Sequence, residues 1–227
     1  MNSVVIVAAG RGTRMGAGVD KLFLEVRGRA VVAHTWWMYD CLDEVGEVVL
    51  VVREGMQGEF ELMGREMGVR KPYRLVAGGA ERQDSVWNGL RAVSEGVELV
   101  AIHDGARPCT SEGVIRDTLE AAGRVGAAVA AQRVVDTIKE ADGEGRVVRT
   151  VDRSKLWAVQ TPQAFRLEVI MRGLSEVRER GIQVTDDTAA CELIGQPVEL
   201  VEGREPNPKV TVPADLAYVE LLLANRG

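Results

Sequence analysis

Histidine, cysteine and aromatic side chains are scarce in this 227-residue chain, which has two His, three Cys and 4% Phe, Trp and Tyr. His34 and His103 are too few for a His-rich metal site. Cys41, Cys109 and Cys191 are odd in number, far apart and never spaced C-x-x-C, which argues against a disulfide framework or a structural zinc and fits a reducing compartment. So few aromatics leave little to build a base-stacking surface. A net charge of −6 and a pI near 5.2 argue against nucleic acid or an anionic membrane as the main partner. The apolar run at residues 4–9 is too short to span a bilayer, lacks a basic segment before it, and no later run is long enough either. A soluble cytoplasmic protein is expected.

The chain also lacks Pro- or Ser-rich linkers, repeats and low-complexity tracts, so residues 1–227 are read as one domain. Its 46% apolar and 27% charged composition is that of a globular protein. Continuous β-branched runs at 4–8, 47–52, 73–77, 99–103 and 127–131 predict strands buried on both faces. Amphipathic segments at 31–42, 57–67, 83–93 and 113–122 alternate with them. The alternation predicts an α/β fold, a Rossmann-like, mostly parallel sheet with helices on both faces. Residues 135–139 and 146–151 read as a hairpin around Asp142-Gly143-Glu144-Gly145 with no helix to cover it. A two-stranded arm is marginal alone, so it is expected to pack on something else, such as a second subunit. Helices resume at 167–180, 187–194 and 214–224, the last with Pro213 in its first turn.

Three strand-to-helix loops carry the chemistry. The first, Ala9-Gly10-Arg11-Gly12-Thr13-Arg14-Met15-Gly16, has Met15 where a dinucleotide fingerprint requires its third Gly, and it lacks the Gly-Lys-Ser/Thr ending of a Walker A loop. Glycines that let backbone N–H groups approach a ligand, with Arg11, Arg14 and then Lys21, suit a triphosphate. In the second, Gly78-Gly79-Ala80-Glu81-Arg82-Gln83-Asp84-Ser85, paired glycines suit close approach to a base or ribose, or else an ordinary helix-capping turn. In the third, His103-Asp104-Gly105-Ala106-Arg107-Pro108, Asp104 is a candidate Mg²⁺ ligand, with Arg107 as its ion-pair partner or as a support behind it, and His103 reads as a satisfied core residue rather than a catalytic base.

The order of these and later motifs resembles one family. Ala8-Ala9-Gly10-x-Gly12-Thr13-Arg14-Met15 with Lys21 resembles the sugar- and polyol-phosphate nucleotidyltransferases. The Gly78-Gly79 and His103-Asp104 loops narrow the match, as do Asp136-Thr137-Ile138-Lys139, Thr150-Val151-Asp152-Arg153, Thr161-Pro162-Gln163, Thr185-Asp186-Asp187 and Lys209-Val210-Thr211. Together they resemble the 2-C-methyl-D-erythritol 4-phosphate cytidylyltransferase family over nearly the whole chain.

The resemblance implies CMP transfer from CTP to 2-C-methyl-D-erythritol 4-phosphate with a divalent cation, Mg²⁺, in a homodimer whose β-arms, at about 135–155, interlock. It implies that Arg14 and Lys21 bind the triphosphate, with Arg153 and Lys209 as further catalytic cations. Ala8, Ala9, Gly10, Gly12, Gly79, Ala80 and Ser85 would surround the nucleotide. Asp104 would bind metal and polyol, with Arg107 beside it. Thr161, Thr185 and Lys209 would line the polyol-phosphate site, and Thr137 and Arg153 would reach it from the partner's arm. Asp20 before Lys21 departs from the family pattern and is expected to damp the lysine's charge. Gly105 stands where Ala is usual. The nearest alternative is a ribitol-5-phosphate cytidylyltransferase, against which Ala106 weighs. A non-catalytic nucleotide-binding homologue is expected to have lost Arg14, Lys21, Asp104 or Lys209, and all are present.

Overall fold

The computed structural model describes residues 1–10 and 20–225. In chain order the elements are β1 (Asn2–Ala8), β2 (Glu25–Val26), β3 (Arg29–Ala30), α1 (Val31–Cys41), β4 (Val45–Val52), α2 (Gln57–Met67), β5 (Tyr73–Ala77), α3 (Arg82–Leu90), β6 (Leu99–Asp104), α4 (Glu112–Val125) and β7 (Ala127–Arg133). There follow β8 (Lys139–Ala141), β9 (Val147–Thr150), β10 (Trp157–Arg166), α5 (Leu167–Glu179), α6 (Asp187–Leu193), β11 (Glu199–Glu202) and α7 (Ala214–Ala224). Seven strands form one sheet in the order β11-β7-β10-β6-β1-β4-β5. β10 runs antiparallel to both its neighbours, and the other pairings are parallel.

Strand alternation divides the interior into two layers. Val4 and Ile6 of β1, with Val48 and Leu50 of β4, pack with Trp36 of α1, Phe60 of α2, Ile115 and Leu119 of α4 and Val219 of α7. Val5, Val49 and Val51 face the other way, onto Val86 of α3, Ile170 and Leu174 of α5 and Cys191 of α6. Both faces of the central strands are covered, which is why their sequences are continuous apolar runs rather than alternating ones. Gly89 brings α3 close to the sheet, since a Cβ there would lie 2.5 Å from Val5 Cγ1 and 2.7 Å from Val51 Cγ2. Among the described residues no helix is long and apolar enough to cross a membrane.

The predicted runs reappear with boundaries moved by a few residues, but two sheet strands lie outside them. β10 carries Pro162 and the polar Thr161 and Gln163, so it does not read as an apolar run. Its pairing with β7 is irregular between Val159 and Gln163, a break that accommodates the missing N–H of Pro162. β11 is a short edge strand of alternating exposure. The hairpin exists but is shorter than expected, because 134–138 serve as its approach and pairing begins at Lys139. Its turn is built on Asp142, whose carboxylate accepts the Glu144 and Arg146 N–H groups, with Gly145 at φ +78°. Every residue of β8 and β9 is exposed, including Val147 and Val148.

Gly89→Val should lower unfolding stability by about 2 kcal/mol or more, because overpacking a filled interface forces neighbouring side chains and backbone to shift. Urea titration would show this as a lower midpoint at unchanged slope.

Candidate active site

β6, β1, β4 and β5 lie side by side, so the loops after β1, β5 and β6 meet at one carboxyl edge of the sheet. That is where open parallel sheets bind ligands. There a cleft of about 400 Å³ is lined by Ala9, Gly10, Lys21, Gly79, Ala80, Arg82, Ser85, Asp104 and Lys209, among others. The paired glycines serve packing between the loops. A Cβ on Gly78 would lie 2.4 Å from Ala9 Cβ, and one on Gly79 would lie 2.3 Å from Asp84 Cβ. The Ser85 hydroxyl accepts the Gly79 N–H at 3.0 Å and donates to the Glu81 carbonyl, holding the 78–81 turn against the start of α3. Asp84 accepts the Glu81 N–H at 3.2 Å.

Asp104, at the end of β6, is the electrostatic centre. Its carboxylate lies 2.8 Å from Lys209 Nζ, 3.4 Å from Arg107 Nε and 3.8 Å from Arg82 Nε, with a side chain only 10% exposed. Burial alone would raise its pKa, but Lys209, Arg82 and Arg107 outweigh that and hold it well below the usual carboxylate range. Arg82 also grips Asp187 with two parallel hydrogen bonds of 2.9 and 2.7 Å. Burial pushes the Asp187 carboxyl up and Arg82 pulls against it; the bidentate geometry is that of an ionised pair.

Backbone and amide bonds tie the surrounding segments together. Lys21 Nζ donates to the Val210 carbonyl at 2.8 Å, and the Val210 N–H donates to the Ala106 carbonyl at 2.9 Å. Arg107 Nη1 donates to the Asn207 carbonyl at 2.7 Å, and Asn207 Nδ2 donates to the Thr161 carbonyl at 2.9 Å. The chain therefore returns across the first and third loops at Asn207–Val210, presenting Lys209 beside Asp104. Asp20 directs its carboxylate to Arg53 and to the Leu22 N–H. Arg53 is thus an ion-pair partner of Asp20.

The structure brings Ala9, Gly10, Lys21, Gly79, Ala80, Ser85, Asp104 and Lys209 to the cleft. Ala8 lies beneath it, almost fully buried, and Arg107 backs Asp104. Thr161 is buried with its hydroxyl accepting the Asp104 N–H at 3.1 Å, so it braces the carboxylate's backbone. Thr185 is exposed in the turn before α6. Thr137 and Arg153 are exposed on the arm, away from this chain's own cleft lining, with Arg153 donating to the Val135 carbonyl. Gly12 and Arg14, like Arg11, lie outside the described residues. Arg82, Asp187 and Asn207 have no role assigned from sequence. Their motif neighbours are visible there, but the Arg82–Asp187 pairing spans 105 residues of chain. No group of three or more His, Cys, Asp or Glu side chains able to hold a metal occurs among the described residues.

A sequence model of the IspD family, 2-C-methyl-D-erythritol 4-phosphate cytidylyltransferase, matches residues 2–225. Over 222 residues the chain is 44% identical to the 2-C-methyl-D-erythritol 4-phosphate cytidylyltransferase of Geobacillus thermodenitrificans strain NG80-2, covering 98% of this chain and 96% of that one. It is similar to the crystal structure of 4-diphosphocytidyl-2C-methyl-D-erythritol synthase from Anaerococcus prevotii DSM 20548, with a TM-score of 0.86, 30% identity and 98% of each chain covered. The 2-C-methyl-D-erythritol 4-phosphate cytidylyltransferase structure from Thermus thermophilus has a TM-score of 0.79 and 34% identity, with 97% of this chain and 98% of that chain covered.

His103, the last residue before Asp104, is wholly buried and stacks edge-on against Tyr39. Its Nε2 meets the Arg107 carbonyl and the Thr110 hydroxyl, each at 3.3 Å. Its Nδ1 has no hydrogen-bond partner among the described residues, so the expected core histidine is only half satisfied. Burial pushes its pKa down to about 4. The unfolded chain therefore binds a proton that the native chain refuses between about pH 6.5 and pH 4, and stability falls as pH drops through that window. Full protonation of the unfolded state costs roughly 3 kcal/mol at this site. His103→Gln should flatten the pH dependence of stability there by about one proton, as measured by denaturant titration at stepped pH.

Proposed function

The chain belongs to the 2-C-methyl-D-erythritol 4-phosphate cytidylyltransferase family, and from that premise we propose that its cleft transfers CMP from CTP to 2-C-methyl-D-erythritol 4-phosphate. A phosphate oxygen of the polyol attacks the α-phosphorus of CTP, the bond from that phosphorus to the β-phosphate bridging oxygen breaks, and pyrophosphate leaves. The product is 4-diphosphocytidyl-2-C-methyl-D-erythritol, an intermediate of the non-mevalonate route to isoprenoids. The single observation that carries the reading is the convergence of Lys21, Arg82, Asp104 and Lys209 on one cleft beside the glycine turn, in a chain 44% identical to a named cytidylyltransferase.

A phosphate monoester is already a nucleophile at neutral pH, so the reaction needs no activating base. The barrier lies in bringing one anion onto another and holding the attack in line. Lys21 and Lys209 are the cations for that task, and Lys209 is oriented by its ion pair to Asp104. Gly79, Ala80 and Ser85, with Ala9 and Gly10 packed beside them and Ala8 beneath, form the wall suited to cytosine and ribose. Gly12 and Arg14, outside the described residues, would bind the nucleotide and its triphosphate. Asp104 and Arg107, with Thr161 and Thr185, mark the polyol-phosphate side. Asp104 is a lone carboxylate already faced by three cations. With its charge already met by them, Asp104 would offer Mg²⁺ one carboxylate at most, so such an ion would keep waters and be held chiefly by the triphosphate. When bound, such an ion would screen the triphosphate charge.

The homodimer belongs to the same proposal. The ribbon of β8 and β9 exposes Val147 and Val148 at 64% and 60%, and such a ribbon needs cover from elsewhere. A second copy would supply it, bringing Thr137 and Arg153 to the neighbouring cleft. A cytoplasmic setting is proposed from the sequence, whose three cysteines are odd in number and far apart, as fits a reducing compartment.

With CTP and Mg²⁺, pyrophosphate should appear only when a polyol phosphate is added, and faster with methylerythritol phosphate than with ribitol 5-phosphate in a coupled assay. A preference for ribitol phosphate would reassign the substrate, and no release with either would end the reading. Mixing Arg153→Ala with Lys21→Ala subunits should restore activity to hybrid dimers, each singly near-inactive. Absence of recovery after demonstrated subunit exchange would contradict a site shared between subunits.

A further inference from the structure

We infer that Gln83, in the first turn of α3, is a positioning residue that sets the turn carrying Thr185. This rests on the proposed function for the claim that Thr185 faces the polyol phosphate, while the clamp itself stands on hydrogen bonds alone. Gln83 Nε2 donates to the Ile182 carbonyl at 3.1 Å, and Gln83 Oε1 accepts the Val184 N–H at 3.0 Å. One side-chain amide thus satisfies a carbonyl and an N–H two residues apart, as a neighbouring strand's peptide group would. A segment with no sheet partner thereby acquires a fixed path immediately before Thr185.

Beyond Thr185 the chain is held just as firmly. Gln163 Oε1 on β10 accepts the Asp187 and Thr188 N–H groups at 3.0 and 3.2 Å, and its Nε2 donates to Asp186 at 3.1 Å. Asp186 caps α6 by accepting the Ala189 N–H. Thr185 is therefore the exposed residue of a short span anchored on both sides by glutamine amides. The upstream anchor comes from the same helix turn whose Ser85 holds the Gly79 turn, and whose Arg82 stands between Asp104 and Asp187. One turn of α3 thus sets the nucleotide wall on one side and the polyol turn on the other. A hydrogen-bonded link of this kind holds a binding group in place, and small misplacements are expensive in affinity.

Gln83→Met keeps the length of the side chain and removes both bonds. Its KM for methylerythritol phosphate should rise about fivefold to twentyfold, with kcat and the KM for CTP within twofold of the parent. Amide hydrogen exchange at 184–187 should accelerate in the same variant. A KM for the polyol phosphate within twofold of the parent would overturn the inference, as would an equal rise in both KM values. If the parent chain turns over neither polyol phosphate, the proposed function fails by itself. The exchange rates then decide the clamp: faster exchange at 184–187 in the variant supports it, and unchanged exchange overturns it.

Discussion

A carboxylate buried at the carboxyl edge of a parallel sheet organises the rest of this molecule. Asp104 is held ionised only because cations from three separate parts of the chain, Arg82, Arg107 and Lys209, are brought against it. An isolated charge at that depth would carry a desolvation cost of several kcal/mol. Meeting that cost requires the third loop, the start of α3 and the segment after β11 to close on one point, and that closure forms the cleft. Structure and chemistry share the same contacts: the group that orients Lys209 for an anionic substrate also anchors the return of the chain.

The glycines show how the same geometry serves two demands. From sequence, Gly78 and Gly79 suit close approach to a ligand. In the fold the space they leave is occupied by Ala9 and Asp84. The second loop can therefore press against the first and against its own helix, and only then do the N–H groups and small side chains of both loops line a common wall. The net charge of −6 follows the same logic. It describes the whole surface and argues against broad polyanions, yet it says nothing about a cleft in which Lys21, Arg82 and Lys209 are gathered.

Where reading the sequence succeeds and where it stops follows from the range of the interactions. Strands such as β4 and β6 are buried on both faces, so their central stretches, 48–52 and 99–102, are continuously apolar and stand out. β10 is equally central, but its Thr161 and Gln163 are polar because they serve as hydrogen-bonding hubs for the Asp104 backbone and the start of α6. A strand recruited for that purpose does not resemble a core strand. Asp20 shows the same limit, since its carboxylate is held by Arg53, 33 positions away, a pairing that no local pattern announces.

By itself the sequence determined the α/β alternation, the loops that carry glycines and cations, and the family, because each depends on short-range pattern and on the order of motifs. Only the tertiary structure decided which charges pair, that Asn207–Val210 crosses back to deliver Lys209, that Arg82 bridges Asp104 and Asp187, and that two glutamine amides hold the turn at Thr185. The physical reason is that desolvated charges and amides are satisfied by whatever partner the fold brings within about 3 Å, and partners 105 residues apart leave no mark on local periodicity.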